Sequence, residues 1–240
     1  MTRPSALVGT PTDARPDRSA VADWTLARLH EMIFNGQLMP GDGLKELDLT
    51  ERLGVSRSPV RDALKELERQ GLVDVDEING RRVLRALGER DIAETYDVRI
   101  ELEALAARYA ARDASEVAKR HLADRLEVLR SSLSEPTEAW LPLDFAFHAA
   151  VAAASERHQL PQLLSTLWIQ IQAFLRRMDR VGAYPDDRQT RLAGLREHEA
   201  LAAAILAGDP AGADAAVRAH LEGRRDALIL RFHGTGMGSV

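Results

Sequence analysis

The stretch LKELDLTERLGVSRSPVRDALKELERQGLV, residues 44–73, decides the fold of the N-terminal third of this chain. It predicts a short helix over about 47–53, which Gly54 ends because glycine readily takes the left-handed backbone found at helix C-termini. A second helix should run from Ser56, a residue type that caps helix N-termini, to about Gln70. Two short helices joined by a tight turn indicate a helix-turn-helix.

The flanking segments complete a winged form of this motif. A helix is expected over about 19–35, after an arm at 1–18 that is rich in Pro, Thr, Ser and Asp. Downstream, LVDVDEINGRRVLRAL alternates apolar and polar residues on either side of Asn79-Gly80. That dipeptide predicts a β-hairpin with a two-residue turn. We therefore expect a winged helix-turn-helix domain at 19–86.

The rest of the chain carries only helical patterns. Their predicted bounds are 89–112, 116–132, 137–155, 160–180, 187–207 and 210–231. Gly and Pro lie in several of the breaks between them, where helices should stop. The predicted fold class is therefore mainly α. An antiparallel six-helix bundle should occupy 87–232, followed by a loose tail at 233–240.

Composition limits the possible functions. The chain has 240 residues and a formal net charge of −5, so any contact with nucleic acid must depend on where its cations lie. It has no cysteine, which excludes disulfides and thiolate metal sites and fits a cytoplasmic location. The N-terminus has no signal-peptide layout, and no apolar stretch is long enough to span a membrane.

The second helix of the motif carries cations every four residues, at Arg57, Arg61, Lys65 and Arg69. Such cations repel one another, so the stability of the helix alone does not explain them. A helix in the major groove of DNA does, because arginine pairs with the O6 and N7 acceptors of guanine. Ser58, at the start of the helix, is placed to hold a phosphate.

The wing should add further DNA contacts, with Arg81 and Arg82 reaching the phosphate backbone or the minor groove. The alternative is a solvated helix whose cations are balanced by Asp62, Glu66 and Glu68. The preceding helix, the turn and the hairpin together favour DNA recognition over that alternative.

A possible metal site lies in the helical region. Asp144 and His148 are four residues apart and so share one helix face, while His198 and His220 lie on two later helices. A carboxylate and up to three imidazoles suit a divalent Zn, Ni, Mn, Fe or Co ion, with zinc our first choice. A single histidine is more often structural than a ligand, and an Asp–His pair can also be a plain hydrogen bond.

Residues 36–73, and GVSRSPVRDAL in particular, resemble the DNA-binding domain of GntR-family bacterial transcription regulators. The resemblance implies that Arg57 and Arg61 contact operator DNA, with Ser58 and Lys65 as helpers. It also implies a homodimer on a pseudo-palindromic operator, often as a repressor. The wing departs from the family's commoner RGxxV form and reads NGRRV.

Residues 89–231 resemble the FCD effector domain of the same family, through DVRIELEALAARYAA, DFAFHAAV, EHEALAAAI and AHL. The resemblance implies that Asp144, His148, His198 and His220 are the metal ligands. It also places Arg99 near the cavity, where the guanidinium could clamp the carboxylate of a small organic acid.

Three alternatives follow from these residues. Arg99 could instead form a surface pair with Glu103. The Asp/His site could serve a metal-dependent enzyme such as a hydrolase, although the sequence offers no dedicated general base beside it. The histidines could also bind nothing, in a purely structural dimer. The leading hypothesis is a ligand-responsive DNA-binding transcription regulator and not an enzyme. We expect a repressor that is released when a small organic acid, a carboxylate, binds at the metal site.

Overall fold

The computed structural model describes residues 21–76, 80–135, 137–180, 182 and 188–234. Across these residues the chain forms nine helices and one two-stranded sheet. They divide into two compact units, one formed by residues up to 87 with 169–180, the other by 88–168 with the residues after 181. None of the described helices is long and apolar enough to cross a membrane.

The first unit is a winged helix-turn-helix. Its elements are α1 (Val21–Phe34), α2 (Glu46–Leu53), α3 (Arg57–Arg69), β1 (Val73–Val75) and β2 (Arg82–Leu84). Gly54 ends α2 with a φ of 64°, and its N–H donates to the carbonyl of Thr50. Ser56 is the N-cap residue of α3, but its side chain makes no capping hydrogen bond. Leu29, Leu64 and Leu67 lie in one apolar core and are fully buried.

The predicted two-residue turn at Asn79-Gly80 falls partly outside the described residues, which do not include 77–79. The antiparallel strands predicted on either side of it are confirmed. They pair Val73 with Leu84, and the N–H of Asp76 donates to the carbonyl of Arg81. This register places Val73 opposite Leu84, and both are buried, whereas Val75 is exposed.

The six C-terminal helices confirm the predicted fold class. They are α4 (Glu89–Asp113), α5 (Glu116–Ser131), α6 (Thr137–Ala154), α7 (Gln159–Arg180), α8 (Arg188–Leu206) and α9 (Pro210–Gly234). Helix α4 packs against α6, α8 and α9, and α8 packs against α9. Since α4 contacts the three helices that carry Asp144 and the histidines, its inner face helps to form the centre of this unit.

Candidate metal centre and DNA-reading helix

Helix α3 divides cleanly into a buried and an exposed face. Val60, Leu64 and Leu67 are fully buried in the core of the first unit. The residues predicted to contact DNA all lie on the exposed side of the helix: Arg57, Ser58, Arg61 and Lys65. Their positions thus follow from the apolar stripe, which fixes the rotation of α3 about its axis.

Carboxylates pair with some of these cations. Arg61 donates from Nε and Nη2 to the two oxygens of Glu46 on α2, over 3.1 and 3.0 Å. Arg69 is held in the same way by Glu66. In the described part of the chain, Arg57 and Lys65 make neither a hydrogen bond nor an ion pair with any carboxylate. The exposed edge of α3 thus keeps two cations available to an anionic partner, and a third is oriented by Glu46.

The two wing arginines lie in different surroundings. Arg81 is exposed, and its guanidinium lies next to the backbone of Gly43. Arg82 is partly buried and pairs with Glu46, over 3.5 Å, and with Glu68. Glu46 therefore contacts both Arg61 of α3 and Arg82 of β2, and ties the wing to the exposed edge of α3.

Three of the four predicted metal ligands form a cluster in the helical unit. Nitrogen atoms of His148, His198 and His220 all lie within 4.8 Å of one another, and all three residues are buried. Nε2 of His198 lies 3.2 Å from Nε2 of His148 and 3.6 Å from Oδ1 of Asp144. Helices α6, α8 and α9 thus bring the three imidazoles together, with the Asp144 carboxylate beside His198.

Two further carboxylates, which the sequence reading did not assign to the site, contact the imidazoles from outside. Nδ1 of His148 lies 2.6 Å from Oε2 of Glu103, and Nδ1 of His220 lies 2.7 Å from Oε2 of Glu197. Metal-bound histidines typically donate their second N–H to such an acceptor. The four-residue spacing of Arg99 and Glu103 on α4 was a signal for the first of them.

The electrostatics of the cluster favour metal binding. Burial lowers the pKa of His198 and of His220 well below the usual range, so both imidazoles are neutral at pH 7. Burial alone would raise the pKa of Asp144, but electrostatic interactions with the surrounding polar groups, Arg224 among them, outweigh burial and hold the pKa below its usual range. Neutral imidazoles beside an ionised carboxylate are the protonation states that a divalent cation requires.

Unpaired atoms support the same conclusion. Oδ1 of Asp144 and Nδ1 of His198 are buried and lack a hydrogen-bond partner among the described residues. A buried carboxylate oxygen without a partner is costly unless a cation compensates it. The donor set and this unpaired oxygen together fit a divalent metal ion, although they do not select which one.

Arg99 forms the predicted pair with Glu103, but the pair is not at the surface. The Arg99 side chain is only 3% exposed, and its Nε donates to Oε1 of Glu103 over 2.5 Å. The guanidinium also lies over the rings of Tyr96 and Phe145, at 5.3 and 5.5 Å from the ring centres. The alternative of a surface pair is therefore wrong. Arg99 is a buried cation whose Glu103 partner contacts the histidine cluster through His148.

The other four histidines of the chain lie outside the cluster. Nε2 of His30 lies 2.7 Å from Oε1 of Gln70 in the first unit. His233 is exposed at the end of α9, where its Nε2 lies 2.6 Å from Glu89. His121 and His158 are exposed.

A winged helix-turn-helix with an exposed basic edge, in a chain whose second unit is helical and holds a buried histidine cluster, defines a DNA-binding type of protein. Comparison with known families agrees. Residues 23–83 match the profile of the bacterial regulatory proteins of the gntR family, and residues 94–223 match that of the FCD domain. The chain belongs to the GntR family and is a DNA-binding transcription regulator with an FCD domain.

Individual relatives support this assignment. The chain is 32% identical over 213 residues to the HTH-type transcriptional regulator LutR of Bacillus subtilis, covering 82% of this chain and 96% of LutR. It is 35% identical over 139 residues to the regulator YdhC of the same organism, covering 57% of this chain and 62% of YdhC. These relatives are named as regulators, and no observation on the described residues favours the metal-dependent enzyme.

A solved structure shows the same fold. E. coli McbR/YncC superposes with a TM-score of 0.76 at 21% sequence identity, over 88% of this chain and 98% of that one. At that identity the likeness supports the architecture alone, namely the winged helix-turn-helix and the helical domain.

His198 and His220 make the free energy of unfolding of the metal-free protein depend on pH. Their pKa in the folded state lies below the ordinary 6.5, so the unfolded chain binds more protons as the pH falls below that value. The free energy of unfolding should therefore fall as the pH drops from about 6.5, by up to ~1.4 kcal/mol per pH unit for each histidine.

Urea unfolding between about pH 7.5 and about pH 5.5, with a chelator present, measures this slope. His198→Leu removes one of the two groups and should make the slope clearly shallower. A free energy of unfolding that is independent of pH over this interval, or an equal slope in the variant, would contradict the prediction.

Proposed function

We propose that this regulator is a homodimeric repressor whose operator binding is weakened when a small carboxylate binds at a divalent metal ion in the FCD domain. One observation carries the proposal: three buried imidazoles cluster, with a buried carboxylate beside them, in the core of a unit that also contains a buried arginine. The chain joins that unit to a winged helix with an exposed cationic edge. A ligand that binds in such a chain can control its binding to DNA.

In the proposed complex, the N-terminal half of α3 enters the major groove of the operator. Arg57 and Arg61 read base edges, because their guanidinium groups are exposed and can pair with guanine. Ser58, at the first turn, contacts a phosphate, and Lys65 adds attraction to the backbone. Glu46 orients Arg61 through two hydrogen bonds before DNA arrives. Arg81 and Arg82 contact the backbone or minor groove from the wing.

Replacing Arg61 should weaken sequence-specific binding. Arg61→Ala removes a base-reading group, which we expect to cost about 1–3 kcal/mol of discrimination, a loss of roughly 5- to 150-fold in operator affinity relative to unrelated DNA. Gel retardation measures the affinity for the DNA upstream of the gene for this chain and the affinity for a scrambled fragment of that DNA.

The matched control is Arg69→Ala. Arg69 is an exposed arginine near the C-terminal end of the same helix, and it also pairs with a glutamate, Glu66. We expect the control to change the ratio of specific to non-specific binding little. Unchanged operator affinity in Arg61→Ala would defeat the placement of α3 in the groove.

Asp144, His148, His198 and His220 would hold the metal ion, with zinc as the first choice because imidazole and carboxylate suit it. When bound, the ion would supply coordination positions for a carboxylate ligand. The protein supplies the rest: α6, α8 and α9 hold the imidazoles, and Glu103 and Glu197 fix the orientation of two of them. Nickel, manganese, iron and cobalt also suit this set.

Metal loading should stabilise the fold through the cluster. At zinc concentrations a hundredfold above the dissociation constant, the wild-type free energy of unfolding should rise by about 2.7 kcal/mol over the chelated protein. His148→Ala should lose most of this increase, whereas His121→Ala, at an exposed histidine on α5, should keep it.

Two measurements test the role of the histidine cluster. Elemental analysis gives the metal content of the purified proteins, and their Tm values are compared with zinc and with chelator. Absence of bound metal from the wild type, together with equal Tm values under both conditions, would favour the purely structural dimer.

The effector is proposed to be a small organic acid that contacts both the metal ion and Arg99. Among the described residues the only hydrogen bond of Arg99 is made through Nε, so its two terminal nitrogens still have N–H donors. A buried guanidinium with such donors is well suited to a carboxylate, which can accept two parallel bonds. Closing the site around the acid would shift the equilibrium between DNA-binding and released forms, typically by ~1–3 kcal/mol.

A screen of small carboxylates should identify effectors whose binding depends on the metal. We expect an active acid to raise the Tm of the zinc-loaded protein, to have no effect after chelation, and to weaken operator retardation by about 5- to 150-fold. Arg99→Lys, which keeps the charge but loses the planar fork, should lower affinity for the acid, whereas Arg90→Lys on the exposed face of α4 should not.

Equal Tm shifts with and without metal would argue against a metal-bound effector. Stronger retardation in the presence of the acid would instead make it a co-repressor.

A further inference from the structure

The carboxylate of Glu103 lies at the centre of a buried hydrogen-bond network. Nε of Arg99 lies 2.5 Å and Nε1 of Trp168 lies 2.7 Å from Oε1, while Nδ1 of His148 lies 2.6 Å from Oε2. All four side chains are buried, and they come from α4, α6 and α7. One oxygen thus serves two partners, and the other serves a proposed metal ligand.

The chemistry of these partners fixes the role of each oxygen. The Arg99 guanidinium and the Trp168 indole can only donate hydrogen bonds, so Oε1 must be an acceptor. Imidazole differs, because in its neutral form one nitrogen donates and the other accepts. An ionised carboxylate only accepts, so Oε2 requires a proton on Nδ1 of His148. Nε2 of His148 is then left with its lone pair.

The neighbouring contact is consistent with this protonation. Nε2 of His148 faces Nε2 of His198 at 3.2 Å, so an acceptor on His148 makes His198 the donor. The second nitrogen of His198, Nδ1, would then carry no proton. That atom is the one that is buried without a hydrogen-bond partner among the described residues.

We infer that Glu103 is a positioning residue that sets the tautomer of His148, so that Nε2 presents a lone pair to the centre of the cluster. The inference rests on the metal site proposed above. It also explains why a carboxylate is needed at this position and the isosteric amide would not serve. A glutamine at 103 has one acceptor and one donor end, and Arg99 and Trp168 both require the acceptor.

The amide group would therefore face His148 with its N–H₂ and require Nδ1 to accept. His148 would then carry its proton on Nε2, which points into the cluster and prevents ligation by that atom. Glu103→Gln should thus invert the tautomer of a metal ligand with almost no change in side-chain shape.

Glu197 provides a matched control. Its Oε2 lies 2.7 Å from Nδ1 of His220, the same type of contact, but it makes no other hydrogen bond within the described ranges. The Glu197 side chain is also 46% exposed, so water can reach it. A glutamine at 197 is free to turn its oxygen toward the imidazole. Glu197→Gln should therefore leave the proton of His220 on Nδ1.

The test uses the full chain labelled with ¹⁵N-histidine, without metal and at about pH 7.5, where long-range ¹H–¹⁵N spectra distinguish the two tautomers. We expect His148 to carry its proton on Nδ1 in the wild type and on Nε2 in Glu103→Gln. Competition with a chromophoric chelator then measures zinc affinity. Glu103→Gln should lose roughly 10- to 100-fold, and Glu197→Gln clearly less.

The outcomes separate this inference from the metal proposal. A proton on Nε2 of His148 in the wild type overturns the inference, even if the Glu103 variant does not fold. An unchanged tautomer and unchanged zinc affinity in Glu103→Gln overturn it as well. If the tautomers behave as expected and the wild type binds no zinc, the metal site fails while the positioning role of Glu103 stands.

Discussion

The helical unit depends on one constraint, the burial of charged side chains inside a bundle of helices. Asp144, Glu103 and Arg99 are all buried, and a buried charge without a partner is strongly destabilising. Arg99 and Glu103 compensate each other at 2.5 Å. Asp144 does not have such a partner in the described residues, since its nearest imidazole nitrogen is 3.6 Å away. The fold thus completes one ion pair and leaves one carboxylate for a cation.

In the DNA-binding unit the charged side chains are exposed and not buried. Its cations are exposed in a chain whose net charge is −5, so attraction to DNA must be local. Glu46 pairs with both Arg61 and Arg82 and lowers the positive potential there, but it also holds the Arg61 guanidinium in one orientation. Arg57 and Lys65 are exposed and form no ion pair with a carboxylate among the described residues, so they are the cations available for this attraction. The surface therefore combines oriented and available cations.

Much of this was visible in the sequence, because long periodic segments determine helices and the apolar stripe of α3 determines which residues are exposed. The convergence of Asp144 and the histidines could be proposed because i, i+4 spacing and helix pairing are local rules. The pairing of Val73 with Leu84 could not be predicted, since alternation of apolar and polar residues marks the strands of the wing but not their register. Glu103 was missed as a site residue because its partners His148 and Trp168 are distant in sequence.

The hydrogen-bond network around Glu103 shows that stability alone does not explain the core of the helical unit. A buried ion pair such as Arg99–Glu103 is often no more stabilising than well-packed apolar residues of similar volume. Apolar replacements could thus preserve the bundle, but they would remove the acceptor that orients His148 and the guanidinium beside the cluster. Three buried imidazoles and an unpaired carboxylate oxygen likewise weaken a core that leucine could fill. The proposed binding of a cation and an anion would give these polar groups a use that stability does not.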